Sequence, residues 1–417
     1  MSGASIPEVC VVGVGMTPFG RHPGHSIKSL TQWALDATLT DAGLSLDRIQ
    51  SAVFANCVQG YMEGQHMVRG QMALRGAGLE EAPIVNVENA CASGSTAFHV
   101  AVQIVRSGNA DVVLAIGAEK MFDADKAKTF GAFEGAWDVH ERAGVIRGLE
   151  RLGVGVPVPS DWHCDRSYSP FMDVYAAFAR QHMRQFSSTI EQFAAVAVKN
   201  HRHAVDNPLA QYRRQFTVAE VLAAPRVAYP LTVPMCAPVS DGAAAALVCT
   251  RSALSRLGLA ARRAVTVRAS ILASGRQHLP ENVSEHISAR AARQAYEQAG
   301  VAPSDVSVAE VHDATAVGEV IQVENLGFCE FGAGGTLAVR GETALGGRLP
   351  VNPSGGLLSK GHPIGATGLA QLHELVTQLR GEAGVRQVEG ARIAIAENGG
   401  GIHGIEEAAA CVTILGI

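Results

Sequence analysis

Short apolar runs separated by polar, glycine-bearing turns make up much of this chain, and between them apolar positions recur at helical spacing. Val9–Met16 reads as a strand. A helix follows over 26–42 and stops at Gly43, a residue free to take the left-handed turn that closes a helix. Ser51–Ala55 reads as a second strand and Ile84–Val87 as a short buried one. Beyond it Ala97, Val100, Ala101, Ile104 and Val105 fall at i, i+3, i+4, i+7 and i+8, one face of an amphipathic helix. A strand over 111–119 completes this half.

The same order then returns. A strand at 265–269 precedes a helix over 284–299 closed by Gly300. A strand at 307–311 comes next, then a glycine-rich loop whose His362 stands before a helix reaching about residue 380, then a strand at 391–396. Gly43 and Gly300, like Gly108 and Gly381, mark corresponding points of the two halves. A duplicated β/α unit is the economical inference, with parallel sheets covered by helices. Residues 121–228 break the pattern with Gly and Pro clusters and with helices expected at 171–186 and from Thr189. An insertion of that length in a compact fold covers a site. Its basic set, Lys199, His201, Arg202 and His203 with Arg213 and Arg214 beyond, reads either as a solvated helix face or as a contact for substrate phosphates. Residues 235–249 rejoin the first half as an alanine-rich helix or strand. The expected division is 1–120 with 229–264 as one domain, 121–228 as a domain over the site, and 265–417 as the other half.

Composition narrows the class. With 47% hydrophobic and 18% charged residues among 417, a large core is available and disorder is excluded. A net charge of −5 gives no nucleic-acid footprint. No apolar run approaches the roughly 20 residues of a membrane span. Met1 to Ser5 lack the basic and apolar regions of a signal peptide, so a cytoplasmic protein is expected. The eight cysteines include no C-x-x-C pair, which argues against a zinc site or a disulfide framework.

The candidate chemistry centres on Cys91, among small residues where strand passes to helix. Unpaired N–H groups and the helix dipole would favour a thiolate there, titrating below a free thiol. His362 stands at the equivalent helix start in the second half, where a pseudo-two-fold arrangement would bring it to Cys91 as a base or as an imidazolium partner. His312 lies at a strand end, where catalytic groups gather. Glu397-Asn398-Gly399 follows the last expected strand, offering backbone N–H groups for an oxyanion and a carboxylate beside them. Glu397 reads either as an acid/base, its pKa raised by burial and by a neighbouring thiolate, or as a turn cap or arginine partner.

These residues resemble the thiolase superfamily, and within it the sterol-carrier-protein-2-type thiolases, over nearly the whole chain. The resemblance rests on Gly13-Val14-Gly15-Met16-Thr17-Pro18-Phe19-Gly20, Asn89-Ala90-Cys91-Ala92-Ser93-Gly94-Ser95, Ser240-Asp241-Gly242, Asn352-Pro353-Ser354-Gly355-Gly356 and Lys360-Gly361-His362-Pro363-Ile364-Gly365-Ala366-Thr367-Gly368. It implies a duplicated five-layered αβαβα fold, a loop domain inserted in the N-terminal half, and a homodimer or homotetramer. It implies acyl-CoA substrates, with coenzyme A as co-substrate and no metal or redox cofactor. Cys91 falls on the acylated nucleophile, His362 on its activating base, and His312 on a histidine that binds the thioester oxygen. The backbone N–H groups of Cys91 and Gly399 fall on a second oxyanion hole.

One departure shapes the functional expectation. The sterol-carrier type places its acid/base cysteine two residues after the histidine, where this chain has Ala314; classical thiolases place theirs at the position of Glu397. Archaeal thiolases with His-Asp-Ala work with an OB-fold partner of the DUF35 type. The expected activity is that of an acyl-CoA C-acyltransferase working through a Cys91 thioester. The alternatives are a retro-aldolase or an acyltransferase to a non-CoA acceptor with such a partner, and a non-catalytic acyl-CoA-binding subunit.

Overall fold

The computed structural model describes residues 7–417. Among them nine strands form one sheet in the order β3-β2-β4-β5-β1-β6-β9-β8-β7. They are β1 Val9–Met16, β2 Ser51–Ala55, β3 Ile84–Val87, β4 Val112–Glu119, β5 Gly242–Thr250, β6 Val265–Ser274, β7 Val308–Glu310, β8 Ile393–Gly400 and β9 Ala409–Gly416. The duplication is visible in the order: β2-β4-β5-β1 on one side mirrors β7-β8-β9-β6 on the other, joined where β1 pairs β6. The sheet is mixed, not parallel as expected. β2 runs parallel to β3 and β4, and β7 to β8, whereas β5 lies antiparallel to β1 and β4, and β9 to β6 and β8. All nine residues of β5 and all eight of β9 are buried. Covered on both faces, such runs show no period-2 signal, which is why the alanine-rich stretch could read as helix or strand.

Side-chain alternation along the strands sorts the core into layers. Val53, Val113, Ala115 and Ala246 point to one face, joining Ala101 and Val105 of the helix Ser93–Arg106 and Leu369 and Leu372 of the helix Thr367–Leu379. Strands of the second half, through Val308, Ala394 and Leu415, close over the same helix pair. The alternate residues Ala52, Phe54, Leu114 and Leu247 pack outward on the helix Ile27–Ala42. Ala309, Ile395 and Ile414 do the same with the helix Ile287–Ala299. Helix, sheet, helix pair, sheet and helix give the five layers. The two central helices touch closely at Gly94, where an added Cβ would meet Gly365 O at 3.0 Å and Leu369 N at 3.1 Å.

Two expectations change. Ile84–Val87 is not buried: it is the edge strand, paired with β2 alone, and Val85 and Asn86 are exposed. The basic set of the insertion divides. Arg202, Arg213 and Arg214 are exposed, while Lys199, His201 and His203 are buried and belong to neither a solvated face nor a phosphate contact. Lys199 Nζ lies 3.0 Å from Glu319 and donates to Val351 O, while His203 Nε2 accepts the Leu345 N–H and its Nδ1 donates to Asn352 O. A buried cation needs such partners, and here they tie the helix Ile190–Ala204 of the insertion to the second half.

Candidate active site

Cys91 is reached through a strained step. Ala90 has φ +47°, a left-handed conformation unfavourable for a residue with a Cβ, and the helix begins three residues later at Ser93. The sharp turn presents the sulfur at the end of a cavity of about 700 Å³, within the range that accommodates small-molecule substrates. Cys57, Cys91, His312, Ala314, His362 and Glu407 line that end. Phe133, Tyr168, Met172 and Tyr175 of the insertion wall the other side.

His362 Nε2 lies 3.3 Å from Cys91 Sγ. Its other nitrogen, Nδ1, is 2.7 Å from Thr367 Oγ1, and that hydroxyl gives its proton to Pro363 O. Thr367 must therefore accept from Nδ1–H, which leaves Nε2 as a lone-pair acceptor facing the thiol. Burial lowers the His362 pKa well below 6.5, and the neighbouring His312 adds to this. Burial, together with the charges of Glu88 and Glu119, pushes the Cys91 thiol up to about 12. The resting pair is thus neutral thiol and neutral imidazole. The thiolate expected from the helix start does not form at rest, because desolvation outweighs the dipole. Proton transfer to His362 must accompany attack on the substrate.

His312 is 2% exposed, and neither of its ring nitrogens has a partner. Its ring meets that of His362 edge-on at 5.3 Å, and burial lowers its pKa to about 4. A neutral imidazole with an unspent N–H in a substrate-sized cavity is costly unless a ligand oxygen takes it. Cys91 Sγ and one nitrogen each of His312 and His362 lie within 4.8 Å of one another, a set that could also take a soft divalent cation.

Glu397 is placed differently from its expected acid/base role. It is fully buried, Ser288 Oγ donates to its Oε1 and His312 N to its Oε2, and it is not among the residues lining the cavity. Strand alternation is the reason: Gly400 faces the Cys91 loop, where an added Cβ would come within 3.0 Å of Cys91 N, so Glu397 points to the opposite side of β8. Its pKa is raised to about 8, by burial and the charge of Glu407 rather than by a thiolate. Three carboxylates line the cavity, Glu88, Glu134 and Glu407. Glu88 is exposed, Glu134 half-buried and Glu407 buried, and the sequence reading did not single out Glu407. Gly399 packs on it, an added Cβ there meeting Glu407 Cγ at 2.7 Å. His403 is exposed in the turn between β8 and β9.

Further positioning residues carry no catalytic signature in sequence. Ser240 Oγ accepts the His362 N–H at 3.0 Å. Asp241 Oδ1 accepts from Met121 N and Phe122 N, and its Oδ2 from His22 N. Glu119 gathers the N–H groups of Cys57, Val58 and Gly365, clamping the His362 loop beside the nucleophile. The Ser240-Asp241-Gly242 motif was the visible sign of the first two.

The comparisons with known proteins agree with this geometry. The family model described as "Thiolase, N-terminal domain" matches residues 9–217, and "Thiolase C-terminal domain-like" matches 277–416. Human sterol carrier protein 2 is 38% identical over 408 residues, covering 95% of this chain and 70% of that protein. An acetyl-CoA acetyltransferase of Methanothermobacter thermautotrophicus is 37% identical over 402 residues, covering 95% of this chain and 97% of its own. Among solved structures, an Ltp2-ChsH2(DUF35) aldolase shares the fold with a TM-score of 0.76 at 23% identity, covering 99% of this chain and 98% of that one. With a cysteine–histidine pair facing each other from equivalent helix starts of a duplicated fold, and both halves matched, the chain belongs to the thiolase family, alongside its sterol-carrier-protein-2-type members.

Proposed function

We propose that this thiolase-family enzyme is an acyl-CoA C-acyltransferase, carrying the acyl group as a thioester of Cys91 while a carbon–carbon bond is made or broken. The observation that carries the reading is the 3.3 Å approach of His362 Nε2 to Cys91 Sγ at the end of the large cavity. His362 takes the thiol proton as the sulfur attacks the thioester carbonyl and returns it to the departing coenzyme A sulfur. One thioester is exchanged for another, so the step is nearly neutral in free energy. The backbone N–H groups of Cys91 and Gly399 hold the tetrahedral oxyanion in this reading, and His312 holds the carbonyl oxygen of the second acyl-CoA as its enolate forms. No metal or redox cofactor is required. Product analysis with acetoacetyl-CoA and coenzyme A tests the reading: acetyl-CoA is the expected product, and absence of thiolysis across a panel of 3-ketoacyl-CoA substrates would refute it.

A second reading is retro-aldol cleavage or acyl transfer to a non-CoA acceptor, in complex with a DUF35-type OB-fold protein. It is favoured by Ala314 in the cavity wall, two residues after His312, and by the likeness to a structure titled as a DUF35 aldolase. Co-purification from the native host distinguishes the two, a small OB-fold chain supporting the second and a fully active homodimer or homotetramer the first. A non-catalytic acyl-CoA-binding role accounts less well for a nucleophile and base held in reacting geometry. Among the described residues no helix is long and apolar enough to cross a membrane. A cytoplasmic location belongs to the same proposal.

A further inference from the structure

The carbon–carbon step needs a group that moves a proton at the α-carbon, and the two positions where a cysteine was expected hold Ala314 and Glu397. Ala314 carries no proton, and Glu397 spends both oxygens on Ser288 and His312 N, away from the cavity lining. His362 is engaged with the thiol, and His312 is a neutral donor. Of the three carboxylates lining the cavity, Glu88 is exposed and accepts the Ala90 N–H, Glu134 pairs with Arg142, and Glu407 is the buried one whose charge acts on His312.

We propose, resting on the C-acyltransferase reading above, that Glu407 is the acid/base of the carbon–carbon step, with His286 and Gln322 as its positioning residues. Glu407 and its chain neighbour have opposite assignments. Glu406 is fully buried and consumed by structure: it accepts from Arg276 N and Ile287 N and pairs with Arg290 at 3.4 Å. Glu407 turns to the cavity instead, seated on Gly399. Gln322 Nε2 donates to its Oε1 at 3.1 Å, and His286 Nε2 lies 3.1 Å from its Oε2. His286 Nδ1 accepts from Ser288 N at 3.2 Å and faces Asn325 Nδ2 at 3.0 Å, so a ring proton resides on Nε2, the nitrogen on the Glu407 side. Each carboxylate oxygen keeps a lone pair beyond these contacts.

The charge balance suits a base. Burial raises the Glu407 pKa, but the charge and hydrogen bond of His286, a backbone N–H and the charge of His312 together hold it below its ordinary range. Despite burial, Glu407 in turn raises the His286 pKa, so that the ring is more readily protonated. The other titratable groups facing it are His312, Glu397, Tyr175 and Cys91, whose own titrations it perturbs. Glu407 also borders a second, smaller cavity that His286 and Gln322 line, sharing it with Tyr175 and His312. A proton on Glu407 therefore has a route toward solvent that does not cross the acyl cavity.

The step balances without a further reactant. Glu407 takes the α-proton of an acyl-CoA whose carbonyl oxygen rests on the His312 N–H. The enolate carbon bonds to the carbonyl carbon of the Cys91 thioester, the carbon–sulfur bond to Cys91 breaks, and the proton returns through Glu407 and His362 to the Cys91 sulfur. Thiolysis is the reverse.

The test follows two readouts in the purified oligomer, or in its complex where a partner co-purifies. Intact mass after acetyl-CoA reports the Cys91 adduct, and deuterium uptake into the acetyl-CoA methyl group in D2O reports α-proton transfer. Glu407→Gln should keep the adduct and lose exchange and carbon–carbon turnover by roughly 10²–10⁴-fold. His286→Ala should move the acidic limb of the exchange profile to higher pH, because the donor that holds Glu407 ionised is gone. Ordinary exchange in Glu407→Gln, or adduct and exchange falling together, overturns the assignment. If that variant does not fold, an unmoved acidic limb in His286→Ala overturns it. A wild type that forms no adduct at all overturns the C-acyltransferase reading itself.

Discussion

Thr367 decides which nitrogen of His362 faces Cys91. Its hydroxyl accepts from Nδ1 at 2.7 Å while donating to Pro363 O at 3.0 Å, so the lone pair of Nε2 is left for the thiol 3.3 Å away. Thr367→Val keeps the shape and removes the acceptor. An unmet buried hydrogen bond costs ~1–3 kcal/mol, so acylation should slow by about 10–100-fold while acyl-CoA binding holds. Stopped-flow release of coenzyme A measures it, and an unchanged rate would show that the tautomer is set elsewhere.

A neutral resting thiol has a signature in alkylation. With the Cys91 pKa pushed to about 12, iodoacetamide labelling of Cys91, read by peptide mapping, should climb about tenfold per pH unit from pH 7 to pH 9. A plateau already reached at pH 7 would reveal a preformed thiolate–imidazolium pair instead.

The two cavity histidines should fail in different half-reactions. His362→Ala removes the acceptor of the thiol proton and should slow adduct formation by roughly 10²–10⁴-fold. His312→Ala should spare acylation and depress α-proton exchange by roughly 10²–10³-fold, as for the loss of one oxyanion donor. Equal losses in both steps for both variants would show the labour is divided otherwise.

Much of this was legible in the chain because local signals repeated. Gly43 and Gly300 end helices in left-handed conformation, as their places in the pattern predict, and the repeat places Cys91 and His362 at matching helix starts. β9 and the parallel-versus-antiparallel order were not legible, since runs covered on both faces carry no alternation. Glu397 drew attention through the glycines beside it, yet a residue's face on a strand changes with a one-residue step, and Gly400 holds the face toward Cys91. Glu407 follows a hairpin turn, and only the fold-back of β9 on β8 brings it over Gly399. The insertion's Lys199 and His203 looked like surface charge because their partners Glu319, Val351 and Asn352 lie more than a hundred residues away.

Glu397 leaves a mark on stability. Its pKa is raised from 4.5 to about 8, so between those values the folded state binds more protons than the unfolded chain. Stability then falls as pH rises through that window. Glu397→Gln, neutral throughout, should make the decline shallower, leaving the shares of Glu119, raised to about 7, and of Asp313 and Glu310, also raised by burial. Thermal melts at pH 5.5 and pH 8 give the slope, and an identical slope in the variant would place the proton elsewhere.

The central claim is that the acyl group passes through Cys91, and intact mass spectrometry of the protein quenched during turnover with an acyl-CoA tests it most directly. Wild type should gain the mass of one acyl group per chain, mapped to the peptide carrying Cys91, and Cys91→Ser should gain none. An adduct of the same mass and extent on Cys91→Ser would contradict the account.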